Sequence, residues 1–179
     1  MKNYKTYFKA YLDDLAKRKP SPGGGSVLCL FLCTGLSLIE KAINYSFRTC
    51  DKSVNVKLKR QFFVLHNLRK KIYSYIDSDG YIFEKIIQSQ GRKKAEYIEK
   101  SEQLVIEVAQ TAKKVFFLAK KIESGIKMSI ISDFYIGLHA VRIVFLGCVL
   151  NLEANHKIFG KKNRYINVFK NDLKKWQKF

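Results

Sequence analysis

Proline is nearly missing from this chain: Pro20 and Pro22 are the only two in 179 residues, and they stand almost side by side. Everywhere else, nothing removes a helical hydrogen bond or clashes with the preceding turn, as a proline would. Acidic side chains are scarce too, 15 against 34 lysines and arginines, for a net charge of +19 and a pI near 9.8. The three histidines, His66, His139 and His156, are scattered and lack the His-Glu-x-x-His spacing of a metal-binding helix. Each reads as a surface or packed histidine. None of the four cysteines, Cys29, Cys33, Cys50 and Cys148, belongs to a Cys-x2-Cys pair, so the common zinc-site spacing is absent. Cys29 and Cys33 stand one helical turn apart in an apolar run, as small buried thiols do, and no disulfide framework is read. No Gly-x-Ser-x-Gly elbow is present, and no Gly-Lys-Ser/Thr follows the glycine-rich stretch, so serine-hydrolase and Walker A readings both fall away. No hydrophobic segment precedes the charged leader, and the apolar runs at 27–39 and 143–150 fall short of the ~18–20 residues that cross a bilayer. A reducing cytoplasm and no membrane are therefore expected.

Hydrophobic residues make up 47% of the chain, enough for a substantial core in one domain of this length. Their spacing is helical throughout. Tyr4, Tyr7, Phe8, Tyr11 and Leu15 line one face of residues 4–17. A second helix is expected from about Ser26 to the mid-40s, with a break at Asp51. Leu58, Phe62, Leu65, Leu68, Ile72 and Ile76 recur at steps of three and four over 55–76. Asp77-Ser78-Asp79-Gly80 is turn-like in composition, although Tyr81, Phe83 and Ile86 can carry the same helix past it, with Gly91 as a stop. Over 94–121, Leu104, Val108, Ala112, Val115 and Ala119 face inward and Lys113, Lys114, Lys120 and Lys121 outward. Ser132-Asp133 is read as the N-cap of a long apolar helix over 132–158. A basic, aromatic tail follows, with a short helix at 164–177. No long period-two alternation and no internal repeat occurs. The fold class is all-α, an up-and-down helical bundle; residues 1–158 form the domain and 159–179 a basic C-terminal helix or tail.

The sharpest local feature is Pro20-Ser21-Pro22-Gly23-Gly24-Gly25-Ser26-Val27. Three successive glycines admit backbone conformations closed to other residues, and the prolines fix the approach. Ser26 is read as the cap of the following helix, whose first N–H groups face the turn and can hold an anion or a polar oxygen. Few polar groups interrupt the apolar faces elsewhere: Asn44, Asp77, Asp79, Ser132, Asp133, Asn151 and Asn155, the last two one helical turn apart. Singly, each is what a cap or structural hydrogen bond looks like. It is their occurrence alongside the glycine turn that points to a site.

Together these residues resemble the formiminotransferase-cyclodeaminase C-terminal domain family, which includes stand-alone methenyltetrahydrofolate cyclohydrolases. The resemblance lies in Pro22-Gly23-Gly24-Gly25-Ser26-Val27 with Gly35; in Asp77-Ser78-Asp79 with Phe83 four positions on; and in Ser132-Asp133, Gly147, Asn151 and Asn155. The motifs keep their order over about residues 8–158. The resemblance implies a helical bundle that dimerises through its helices and acts on tetrahydrofolates carrying a one-carbon unit. One such reaction closes 5-formiminotetrahydrofolate to the 5,10-methenyl form with loss of ammonia; the other adds water to the methenyl form to give 10-formyltetrahydrofolate. It implies no metal and no cofactor beyond the folate. The reacting carbon is cationic in both reactions, so a carboxylate beside it is stabilising, and a proton must be moved by a positioned acid or base. Asp79 and Asp133 are the catalytic candidates. Gly23, Gly24, Gly25, Ser26, Asp77, Ser132, Asn151 and Asn155 are the substrate-binding ones.

The chain departs from that family at Leu28, Phe31, Leu32, Tyr135 and Phe145, bulky where the family has small residues. An inactive helical dimer is thus one alternative reading. A basic nucleic-acid-binding module using Lys161, Lys162, Arg164, Lys174, Lys175 and Trp176 is the other, the less favoured because lysine, not the arginine fork, supplies the charge. An AT-rich genome yields the same lysine excess, so charge alone names no ligand. Folate's glutamate tail is one polyanion it could serve.

Overall fold

The computed structural model describes residues 3–47, 51–160 and 163–176, so Cys50, Lys161 and Lys162 lie outside the described residues. Within them the chain forms seven α-helices and no strand: α1 Tyr4–Leu15, α2 Gly24–Ser46, α3 Lys52–Tyr73, α4 Tyr75–Gln88, α5 Gly91–Lys120, α6 Ile131–Phe159 and α7 Tyr165–Trp176. The all-α expectation holds. Two short 3-10 turns, Glu123–Gly125 and Met128–Ile130, join α5 to α6.

Helix α2 is the axis of the bundle, with α6, α3, α4 and α5 all packed on it. It can be central because most of its circumference is apolar, with Cys29, Leu32, Leu36, Ile39 and Ile43 among its buried residues and a narrow polar face, Thr34, Ser37, Lys41 and Asn44, left exposed. Helix α6 runs antiparallel to it. At their crossing the backbones meet through two glycines: a Cβ on Gly35 would stand 2.9 Å from the Gly137 carbonyl oxygen, and one on Gly137 2.8 Å from that of Gly35. Nearer the start of α2, Leu28 fills the space over Gly147. The bulky Leu28 thus takes up room left by a glycine, and does not push the helices apart. By length and composition α2 and α6 could each cross a membrane, but about half of each apolar window is buried within the bundle. Core helices have the same character.

The periodic faces read in the sequence are the packed ones. Leu58, Leu65 and Ile72 of α3 are buried, as are Leu104, Val108, Ala112, Val115 and Ala119 of α5. One polar network crosses this interior: buried Glu40 of α2 takes Arg69 Nε at 2.8 Å and a second guanidinium nitrogen at 3.0 Å, with His66 Nδ1 at 3.2 Å. Such a charge is tolerable in a core only because it is paired.

Several boundaries differ from the sequence reading. Asp77–Gly80 is not a turn but the middle of α4; the chain bends earlier, at Ser74. Gly91 does not end a helix; it opens α5, with φ +53°. Helix α6 begins at Ile131, so Ser132 and Asp133 lie in its first turn and do not cap it. It ends at Gly160, whose left-handed φ of +69° suits glycine. Helix α1 buries no side chain: of its apolar face, Tyr4, Tyr7 and Phe8 are exposed and only Tyr11 and Leu15 are half-buried. The C-terminal helix packs on the body instead. Its Trp176 is 2% exposed and stacks on Phe116 and Phe145 with ring centroids 4.4 and 4.6 Å away.

Candidate active site

The first N–H groups of α2, those of Gly24, Gly25 and Ser26, have no acceptor within their own helix; the earliest intrahelical bond is Val27 N–H to the Gly23 carbonyl. Gly23, not Ser26, is the N-cap residue, and no side chain of the turn caps the helix. The capping acceptor arrives from another helix. Asp79 of α4 places Oδ2 3.1 Å from the Ser26 amide nitrogen, accepting its hydrogen. A carboxylate at the positive end of a helix dipole is electrostatically favourable.

The glycines make this approach possible. A side chain on Gly25 would collide with the Asp79 carboxylate, and one on Gly80, the next residue of α4, would collide with the Ser21 hydroxyl. Gly80 therefore serves packing, and is no turn signal. The Gly25–Asp79 contact ties the glycine turn to the Asp-x-Asp segment through one residue of each, while Gly24 has open space around it and Gly23 only ordinary contact.

Around this junction lies a cleft of about 340 Å³. Helix α1 contributes Tyr11 and Asp14, the turn Ser21, Pro22 and Ser26, and α4 Asp77, Tyr81 and Glu84. Three carboxyls line this wall: Asp77 and Glu84, and Asp14, which is paired with Lys17 and Lys19 at 2.9 Å each. Burial pushes the Asp79 carboxyl above the usual carboxylate range, and the Ser26 N–H draws it partway back. Cys29 lies behind, its thiol pushed up to about 12 by burial and then by the Asp79 charge. It is therefore a protonated, buried thiol and no nucleophile. The Tyr11 hydroxyl is 3.1 Å from Ser26 Oγ. Tyr11 was read from sequence only as part of an apolar face; its four-residue spacing could not reveal a partner fifteen residues away.

Ser26 and Asp77 line the cleft; Asp79 is hydrogen-bonded to Ser26 beside the glycine turn, but neither it nor Gly23, Gly24 or Gly25 is part of the cleft wall. Asn151 and Asn155 sit at the same end of the α2–α6 pair, one and two turns beyond Gly147, but neither lines the cleft. Ser132 and Asp133 are at the other end. Asp133 Oδ2 accepts a 2.6 Å charged hydrogen bond from Lys41 of α2, which stands about 22 Å along that helix from Ser26 at ~1.5 Å per residue. Within one chain, Asp79 and Asp133 do not share a site. Of the bulky residues at family positions of small ones, Phe31 and Tyr135 are exposed and Phe145 is in the α7 cluster, and none of the three lines the cleft. A larger, shallow apolar groove of about 650 Å³ at Phe47, Val56, Phe62 and Phe63 holds none of the expected residues. Among the described residues, no three His, Cys, Asp or Glu side chains are grouped to hold a metal ion.

The all-α bundle that carries this junction is a fold found in a solved structure. Formiminotetrahydrofolate cyclodeaminase from Thermotoga maritima superposes with a TM-score of 0.80 at 20% identity, covering 94% of this chain and 87% of that one. At such identity the likeness speaks for the fold. The sequence itself matches the formiminotransferase-cyclodeaminase family over residues 7–173, and the chain belongs to that family. That match includes most of α7, beyond the 158 at which the sequence motifs stop. No curated protein sequence matches significantly.

Proposed function

We propose that this chain is a tetrahydrofolate one-carbon enzyme, with ring closure of a 5-formimino group as its reaction. The observation that carries the reading is the Ser26–Asp79 hydrogen bond at the edge of a cleft lined by Ser26 and Asp77. N10 of the substrate adds to the cationic formimino carbon, a proton passes from N10 to the amino group, the C–N bond breaks and ammonia leaves. A carboxyl with a raised pKa is suited to take that proton and return it, and as carboxylate it offsets the positive carbon. Asp77 supports the same charge from the cleft wall. The chemistry as written uses no cofactor besides the folate. Three cysteines unpaired among the described residues suit a reducing cytoplasm.

Asp133, Ser132 and the two asparagines enter this reading through a second copy. On α6 the exposed residues Ile136, Ile143, Leu146 and Leu150 recur at helical spacing, Ile143 and Leu150 at 54% and 57% exposure. In a chain so rich in lysine, an uncharged stripe of this length marks an interface. A two-fold axis crossing α6 near Ile143 would bring the partner's Asp133 level with Glu153, beside Asn151, Asn155 and the glycine turn. The expected solution species is a homodimer of twice 20.8 kDa. Ile143→Asp should yield monomers by sedimentation equilibrium and lose turnover in parallel; a monomeric wild type would remove the dimer and with it any role for Asp133.

The function is tested by incubating the protein separately with 5-formiminotetrahydrofolate and with 5,10-methenyltetrahydrofolate. Ammonia release with appearance of the methenyl absorbance is the expected outcome. Loss of methenyl absorbance alone would identify the hydrolytic reaction instead, and silence on both substrates would refute the enzyme.

A further inference from the structure

Helix α1 is attached to the rest of the molecule in an unusual way. It buries none of its residues, and its aromatic side chains Tyr4, Tyr7 and Phe8 face outward. Tyr11 is different: half-buried, it lines the cleft and meets Ser26 hydroxyl to hydroxyl at 3.1 Å. Ser26 is 2% exposed, its N–H is taken by Asp79, and its hydroxyl by Tyr11. Each hydroxyl carries one hydrogen. Whichever of the two donates, the other's hydrogen is left over, and both residues line the cleft. The pair therefore adds an O–H donor to a wall whose other polar side chains are three carboxyls, Asp14 (paired with Lys17 and Lys19), Asp77 and Glu84, and two further hydroxyls, Ser21 and Tyr81. Carboxylates accept hydrogen bonds, so they serve the N–H groups of a ligand and repel its oxygens.

We propose that Tyr11 is a specificity-determining residue of this site, its hydroxyl held on Ser26 so that the pair donates one hydrogen bond to a carbonyl oxygen of the ligand. The inference rests on the folate reading. A pterin edge presents ring and amino N–H donors next to a carbonyl acceptor, and the cleft offers carboxyl acceptors next to hydroxyl donors. The Tyr11–Ser26 pair differs from Ser21 and Tyr81 in being fixed by a hydrogen bond between α1 and the start of α2, which holds its donor in place before the ligand arrives. Tyr11 also ties α1 to the floor of the site, so ligand contact and helix docking pass through the same hydroxyl.

The experiment is calorimetric titration of the full-length protein with 5-formyltetrahydrofolate, a stable one-carbon folate, on wild type, Tyr11→Phe, Ser26→Ala and the double variant, with steady-state kinetics in parallel. Phenylalanine keeps the ring and removes only the hydroxyl. The dissociation constant and KM of Tyr11→Phe should rise about threefold to tenfold, as for one lost hydrogen bond, with kcat changed much less and the melting temperature held. The double variant should be no worse than Ser26→Ala, because the two hydroxyls act as one unit. Wild-type binding by Tyr11→Phe, or losses that simply multiply in the double variant, would overturn the assignment while leaving the folate reading intact. A fall in melting temperature matching the loss of affinity would make Tyr11 structural and equally overturn it. Failure of the wild type itself to bind would instead sink the folate reading.

Discussion

Asp79→Asn should lower turnover by about 10²- to 10³-fold, the usual worth of a positioned acid–base group, while the melting temperature at pH 7 stays level or rises. The two halves of this expectation come from one geometry. Asparagine keeps an oxygen able to accept the Ser26 N–H, so the start of α2 remains capped. What it loses is the ionisable proton. Because burial raises the Asp79 pKa in the folded state, its stabilising contribution is fully present below the unfolded carboxylate value of about 3.9 and is lost as pH rises through the raised folded value. At neutral pH the ionised group is a cost to folding, and the amide removes it. The melting-temperature gain of the variant over wild type should therefore shrink as pH falls and the wild-type carboxyl becomes protonated. Differential scanning calorimetry from pH 4 to 8, alongside the ammonia-release assay, reads both. A variant of wild-type rate would leave Asp79 as a tertiary cap for α2 and nothing more.

How the helices pack was largely legible in the sequence, because burial follows period. The stripes on α3 and α5 lie where the three-and-four spacing puts them, since each helix buries one face against α2 or α6. Helix ends were less legible, and for a common reason. Ser26 has the chemistry of an N-cap, yet the cap is Gly23, because a carboxylate 53 residues away supplies the acceptor. Asp77–Gly80 has a turn's composition, yet is helical, because Gly80 is required by Ser21 packing over it. Local rules fail where a distant partner takes the role a neighbour would have filled.

The site was legible by half. Glycine turn and Asp-x-Asp were paired from motif order, and the Gly25–Asp79 contact ties one residue of each together. Nothing in the spacing could say that Asp133 lies at the far end of α6, bound to Lys41. Helical period reports which face a residue occupies, not which end of the bundle its helix starts from. Tyr11 was missed for the opposite reason: its place in an aromatic stripe hid its hydroxyl.

The tail offers the largest expected effect on stability. Trp176→Ala should cost about 3–5 kcal/mol, a substantial part of the ~5–15 kcal/mol that holds a domain together, and lower the melting temperature by roughly 6–20 °C. The indole lies between Phe116 of α5 and Phe145 of α6, and Phe145 also packs edgewise on Phe169 of α7, at 5.3 Å. Its removal leaves one cavity bordered by three helices that cannot all close on it. Polar contacts hold α7 in the same seat: Arg142 donates to the Trp176 carbonyl at 2.9 Å, Lys113 pairs with Asp172, and Lys170 with Glu153. A tryptophan so enclosed is not available to stack on a nucleic-acid base, which is the use a basic aromatic tail suggests. Lys174 and Lys175 are exposed beside it, and their replacement by alanine should leave the melting temperature within about 1–2 °C. Thermal unfolding of the two sets of variants separates a clasp from a ligand-binding arm: equal and small shifts in both would mean that α7 is not part of the core.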